Sequence, residues 1–435
     1  MATDTSKVVW HVLDFFCDDA DSCALTVLVR GFRFHVIADK DEFCGSCGNT
    51  YDRLVHNVRS KGNNSTASTS SSDKVETDSG IDVSDDTRSD RKVKVDPEEA
   101  LQRFMLEPLL DEFNKLSDSE EEETLQEWYN GPTYFYNLAL SSAGDIKATQ
   151  LEPTQDLQQR MAKLKPEMAL PKYMTDKFDM PLYQASELTV VSTSDQPPCT
   201  PFHPCRVRKN NTEQALFLKV VDTQQPQPVK RELNLLYQVM ELKLNKEISV
   251  PSLEGLVMFD DAEETKSRQK RIMGFLQTDI PGAQPLTGML DPSVDQAKRE
   301  RWAKEAERAK EVLHKHEIVW GDAKADNFVV DKDDRLWIID FGGSYTEGWV
   351  DPEMNETVEG DDMGVERIVN ALEDPVANTY DPEKEDKKEE EDVVEKLSVT
   401  FSPDKELKRK RQSPVDEAES QHDDDGGRAK AQKHG

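Results

Sequence analysis

No apolar run in this 435-residue chain approaches the roughly 20 residues that a membrane span needs. No cationic stretch at the N-terminus leads into an apolar core, so no secretory signal is expected. The hydrophobic share is only 36%, so part of the length is expected to lack a packed core. Positive charge is in deficit. The formal net charge of −32 repels phosphate backbones and argues against bulk nucleic-acid binding. These absences lead to the expectation of a soluble intracellular protein, cytoplasmic or nuclear, without a membrane partner. Against the acidic background stands one basic run, Lys408-Arg409-Lys410-Arg411. It reads equally as a nuclear import signal and as an incidental charge run.

Cysteine is sparse too, with six in the chain. Cys44-Gly-Ser-Cys47 has the spacing of a metal clip, which Cys17 and Cys23 would complete as a zinc site. The first pair is loosely spaced and no His-rich segment supports it, so reduced thiols are the expectation.

What is present is organised in blocks. Residues 1–58 form a strand-rich segment, with a polar turn between Val8–Phe16 and Leu25–Ile37. Residues 59–96 are Ser, Thr, Asp and Lys with almost no large apolar side chain, and read as a disordered linker. Residues 97–185 form a helical and extended extension, opened by Pro97-Glu-Glu. From 186 to 280 the pattern is strands, then a helix opened by Pro228, then strands; Leu233, Leu236, Tyr237, Met240 and Leu244 recur at helical spacing. From 281 to 373 a long helix capped at Asp291-Pro292 precedes the short apolar runs Phe328-Val-Val and Leu336-Trp-Ile-Ile. Residues 374–435 are a charged, aperiodic tail read as disordered. Strands and helices in this succession are α+β.

The chemistry concentrates between Ile318 and Gly342, which reads IVWGDAKADNFVVDKDDRLWIIDFG. Asp322, Lys324 and Asn327 share a loop, and a short hairpin then ends in Asp340-Phe-Gly. Phosphoryl transfer needs these residue types. One carboxylate orients a hydroxyl and takes its proton, a cation meets phosphoryl charge, and oxygen ligands hold magnesium between phosphates.

This run resembles the catalytic and metal-binding loops of protein kinases. The resemblance implies Asp322 as catalytic base, Lys324 as partner of the γ-phosphate, and Asn327 and Asp340 as magnesium ligands. It also implies Lys219, in Leu216-Phe-Leu-Lys-Val-Val, as the ATP-positioning lysine and Glu232 as its ion-pair partner. Residues 273–279 would take the place of the hinge that receives adenine. Asp361-Asp-Met-Gly364 opens a helix as the family's buried Asp and Gly do. Over most of 97–373 the chain resembles a fungal protein-kinase-like family, within the divergent serine/threonine protein kinase superfamily. The implied fold is a two-lobed protein-kinase-like α+β fold with a reduced C-lobe and an extra N-terminal β-rich segment. In it, 186–280 is the N-lobe and 281–373 the C-lobe. ATP and Mg2+ are the implied cofactors, with a protein substrate phosphorylated on Ser or Thr.

Four departures from an ordinary kinase bear on function. Val190 to Lys219 contains no glycine, so backbone amides cannot cover phosphates as closely. Trp320-Gly321 replaces His-Arg, which removes the reader of a phosphorylated activation loop. The segment ending at Pro352-Glu353 is short for a peptide platform, and little chain follows Gly364 before the tail. A pseudokinase that binds nucleotide or partners, and a small-molecule phosphotransferase, are therefore carried beside the active protein kinase.

Overall fold

The computed structural model describes residues 8–43, 46–65, 96–117, 122–141, 143–191, 201–260, 270–343, 346 and 348–378. The first strands, β1 (His11–Cys17), β2 (Cys23–Val29) and β3 (Phe32–Ala38), form an antiparallel meander. The stretch Leu25–Ile37, one run by pattern, is two strands. Arg30 and Gly31 turn the chain between them with φ of 49° and 85°, and two left-handed residues match the twist of a tight hairpin. Cys17 and Cys23 lie opposite each other on β1 and β2 and form a disulfide. This corrects the expectation of reduced thiols and removes half of the conceivable zinc set. Cys44 and the side chain of Cys47 lie outside the described residues.

Helix α1 (Ser46–Ser65) follows, so the linker expected from residue 59 begins as helix; 66–95 lie outside the described residues. Asp96 caps α2 (Pro97–Leu106), and α3 (Leu110–Lys115) completes a helical layer. A Thr124–Glu127 capping box starts α4 (Leu125–Asn130). Then β4 (Thr133–Leu140) pairs parallel with β3, and β5 (Ile146–Leu151) closes a sheet ordered β1-β2-β3-β4-β5. One face buries Leu25, Val27, Phe34 and Val36 against Tyr51, Met105 and Phe113 of the helices. The opposite face carries Thr26, Arg33 and His35. The Arg33 guanidinium lies 5.0 Å over the Trp128 ring, and Phe202 stacks on His11 at 4.1 Å. The boundaries read at 58 and 97 therefore cut through one sheet.

After α5 (Gln155–Lys163), β6 (Met168–Ala169) and α6 (Lys172–Lys177) come β7 (Leu182–Gln184), β8 (Leu188–Val190), β9 (Arg206–Lys209) and β10 (Ala215–Val220). Helix α7 (Pro226–Glu241) starts two residues before the expected Pro228. Strands β11 (Leu253–Met258), β12 (Arg271–Ile272) and β13 (Gly274–Thr278) follow. The second sheet has the order β7-β11-β13-β10-β9-β8, while β6 pairs with β12. Thus 273–279, expected as a hinge, is mostly a central strand.

Strand alternation sets the faces of β10. Leu216 and Leu218 enter a core with Leu125, Val207 and Leu276. Lys219 consequently takes the other face, on which Leu233 and Leu236 of α7 pack with Phe275 and Leu256.

The last part comprises β14 (Gln284–Pro285), α8 (Gln296–Lys315), β15 (Phe328–Val330), β16 (Leu336–Ile338), α9 (Val358–Glu373) and α10 (Pro375–Asn378). Asp295, not Asp291, caps α8, accepting from Ala297 N at 2.8 Å. Ala306, Ala309 and Leu313 of α8 join one core with Val365, Ile368 and Leu372 of α9. Residues 375–378 of the expected tail are helical; 379–435, including Lys408–Arg411, lie outside the described residues. The architecture is mixed α+β with several sheets, and among the described residues no helix is long and apolar enough to cross a membrane.

Candidate functional site

Lys219 reaches two carboxylates. Its Nζ lies 2.5 Å from Glu232 Oε2 and 2.9 Å from Asp340 Oδ1. Glu232 is only 1% exposed, and its other oxygen accepts from Gln277 Nε2 at 3.1 Å. The helix period puts Glu232 next to the buried Leu233 and Leu236, so it faces β10 and not solvent. Burial drives the Glu232 pKa up, and the Lys219 charge opposes this without cancelling it. For Lys219, burial alone would lower the pKa, but Glu232 and Asp340 outweigh it and hold the amine above the usual lysine range. Asp340 shows the reverse balance. Burial pushes its pKa up, the Lys219 charge and hydrogen bond pull harder, and the carboxylate ends below its ordinary range.

A second cluster surrounds Asp322, which is 5% exposed. Lys324 Nζ and Asn327 Nδ2 each approach Asp322 Oδ2 at 2.8 Å, and Asn327 also donates to the Asp322 carbonyl at 3.0 Å. Lys324 donates further to Thr346 Oγ1 at 2.9 Å, and the Thr346 hydroxyl reaches Asp322 Oδ1 at 3.4 Å. Lys324 also helps to lower the Asp340 pKa, so the two clusters share one electrostatic environment.

The backbone that presents these groups is held from several sides. Strand β16 ends at Ile338, and Asp340 turns out of it with φ of 56°, left-handed and unusual for a residue other than glycine. The buried Trp320 indole donates to the carbonyls of Ile339 and Asp340, both at 3.0 Å. Asp361, 1% exposed at the first turn of α9, accepts from the N–H groups of Trp320 and Gly321, both at 2.7 Å, and pairs with His314 at 2.9 Å. Arg231 of α7 donates to the carbonyls of Val319, Trp320 and Phe341.

The structure thus brings Lys219, Glu232 and Asp340 together, and gathers Asp322, Lys324 and Asn327 beside them. Sequence reasoning missed Thr346, Gln277, His314 and Arg231 as neighbours of the site. Their types are ordinary and only tertiary contacts single them out; Thr346, on the segment that follows Asp340-Phe-Gly, had some positional signal. Among the described residues, no group of three or more His, Cys, Asp or Glu is placed to hold a metal ion. Among the described residues, no hydrogen-bond donor reaches Asp340 Oδ2 or Asn327 Oδ1, because Asp340 uses Oδ1 for Lys219 and Gly342 N while Asn327 uses its amide nitrogen. A cavity of about 400 Å3 opens nearby between Tyr173, Lys230, Asn234, Gly343 and Glu356, and none of Lys219, Asp322, Asn327 and Asp340 lines it. Comparison with known proteins finds no matching family model and no matching curated protein.

Proposed function

We propose that this chain transfers the γ-phosphoryl group of Mg-ATP to a hydroxyl, with residues 186–373 acting as a divergent two-lobed protein-kinase-like domain. The observation that carries the reading is Lys219. A lysine on a central strand is held between a buried glutamate and an aspartate from a distant turn, beside a loop whose aspartate is gripped by a lysine and an asparagine. Desolvation of Glu232 costs stability that Lys219 does not fully offset, and groups perturbed in this way cluster at functional sites.

In this reading Lys219 meets phosphate oxygens, with Glu232 setting its direction. Asp340 Oδ2 and Asn327 Oδ1, hard oxygen donors that no donor among the described residues engages, are the groups that would hold a divalent cation. Such a cation would neutralise charge between the phosphates. Asp322 orients the acceptor hydroxyl and takes its proton as the new O–P bond forms and the bond to the β-phosphate oxygen breaks, releasing ADP. Lys324, 2.8 Å from Asp322, supplies positive charge where the transferred group passes. By the family resemblance, a lysine at this position goes with Ser or Thr hydroxyls of a protein as acceptors, while the Gly321-Asp322 pair leans towards small-molecule acceptors. The glycine-free stretch from Val190 to Lys219 favours one competitor, a nucleotide-binding scaffold without turnover.

Incubation of the full chain with γ-labelled Mg-ATP and a degenerate Ser/Thr peptide library tests the proposal. Label is expected on peptide hydroxyls with wild type and not with Asp322→Asn. Nucleotide binding without label transfer would favour the scaffold.

A further inference from the structure

Among the described residues, Arg231 donates to three backbone carbonyls. Its donors reach the carbonyls of Trp320 at 2.8 Å, Val319 at 3.0 Å and Phe341 at 2.6 Å. The first two carbonyls precede Asp322 by two and three residues, and the third follows Asp340 by one. The fork comes from α7, one residue before Glu232. One side chain therefore ties together the helix that aims Lys219, the loop that carries Asp322 and the turn that carries Asp340.

One glycine makes room for it. Gly321 has φ of 86°, which disfavours a side chain by itself, and a Cβ there would also run into Arg231 Nη2. At Gly343, with φ of 73°, a Cβ would meet Glu356 Oε1 first, at 2.5 Å, and Arg231 Cδ only at 3.2 Å.

We infer that Arg231 is a positioning residue, a fixed cation that keeps α7, the Asp322 loop and the Asp340 turn in their assembled arrangement without a charged modification. Carbonyls are permanent acceptors, so the contact does not wait on a phosphate being added or removed. Lysine could not replace it, because a single ammonium lacks the planar fork that spans three carbonyls. The consequence for Mg-ATP binding rests on the function proposed above; the clamp itself does not.

The test uses the full-length chain as wild type, Arg231→Met, Arg231→Lys and Glu232→Gln, well below each Tm. Hydrogen exchange is followed in peptides covering 318–323 and 339–343, and Mg-ATP affinity by calorimetry. Arg231→Met is expected to speed exchange in both peptides together and to weaken Mg-ATP by about tenfold, with Arg231→Lys recovering only part of either effect. Glu232→Gln, which breaks the ion pair and leaves the clamp, is expected to weaken Mg-ATP with both peptides still protected. Wild-type protection of both peptides in Arg231→Met would overturn the clamp. If wild type binds no Mg-ATP, the nucleotide reading fails and the exchange arm still judges Arg231.

Discussion

The Lys219 ammonium stands 2.9 Å from Asp340 Oδ1, although 121 residues of chain separate them. One residue comes from the middle of a six-stranded sheet, the other from a left-handed turn at the end of a short hairpin. The pair joins the two halves of the candidate site, and Glu232 beneath it makes the arrangement sensitive to any loss of charge.

Replacing Lys219 with Met leaves Glu232 buried without its counter-charge. The expected cost near neutral pH is about 3 kcal/mol, typical for breaking a buried pair. The Glu232 pKa, already raised, should rise further. An acid whose folded pKa exceeds its unfolded value binds more protons when folded, so the variant should lose stability as pH rises from about 4.5 toward neutrality. Urea unfolding of wild type and variant across that window checks the sign; a pH-independent difference would contradict it.

Asp361 satisfies two backbone N–H groups of the loop before Asp322 and pairs with His314. Asp361→Ala should destabilise the fold by about 3–5 kcal/mol, since hydrogen bonds to a charged group are each worth roughly 1.5–3 kcal/mol. Asp362→Ala, the next residue along α9 and half exposed in its side chain, should cost below about 1 kcal/mol. Equal costs in chemical denaturation would show that the loop does not depend on Asp361.

Thr346 touches both Lys324 and Asp322 through one hydroxyl. Thr346→Val keeps the volume and removes the hydroxyl. Turnover is expected to fall about tenfold, Mg-ATP affinity to stay within about twofold, and Thr346→Ser to restore activity. A parallel loss of nucleotide affinity would place Thr346 in nucleotide binding instead.

His35 lies 2% exposed in the first sheet with Nδ1 against Thr26 Oγ1 at 2.9 Å and, among the described residues, no partner on Nε2. Burial, with a smaller contribution from the Arg160 charge, lowers its pKa to about 4. The unfolded chain, with an ordinary pKa of about 6.5, binds the proton first. Stability contributed by neutral His35 should therefore be present above pH about 6.5 and lost as pH falls toward 4, to the extent of about 3 kcal/mol. His35→Leu should flatten that part of the urea-stability profile; an unchanged slope would assign the acid sensitivity elsewhere.

What the sequence made legible was local. Asp322, Asn327 and Asp340 lie within one loop-and-hairpin, and strand alternation around Lys219 and helix period around Glu232 fix which way both point. Arg231, Gln277 and Thr346 were hidden because their partners come from other elements; position alone, after Asp340-Phe-Gly for Thr346 and within 273–279 for Gln277, did not name those partners. The parallel pairing of β3 with β4 was equally hidden, since a strand's pattern reports its faces and not its neighbour. The turn at Arg30-Gly31 has a glycine as its cue, but it lies inside an otherwise apolar run. Composition argued for reduced cysteines, whereas the Cys17–Cys23 bridge depends on strand register, which a residue count does not carry.

Calorimetric titration of the full-length chain with ATP, with and without magnesium, tests the central claim most directly. Wild type should bind ATP in a magnesium-dependent way, and Asp340→Asn should abolish that dependence while the fold stays intact by circular dichroism. Magnesium-dependent binding retained in Asp340→Asn, or no binding by wild type under either condition, would contradict the account.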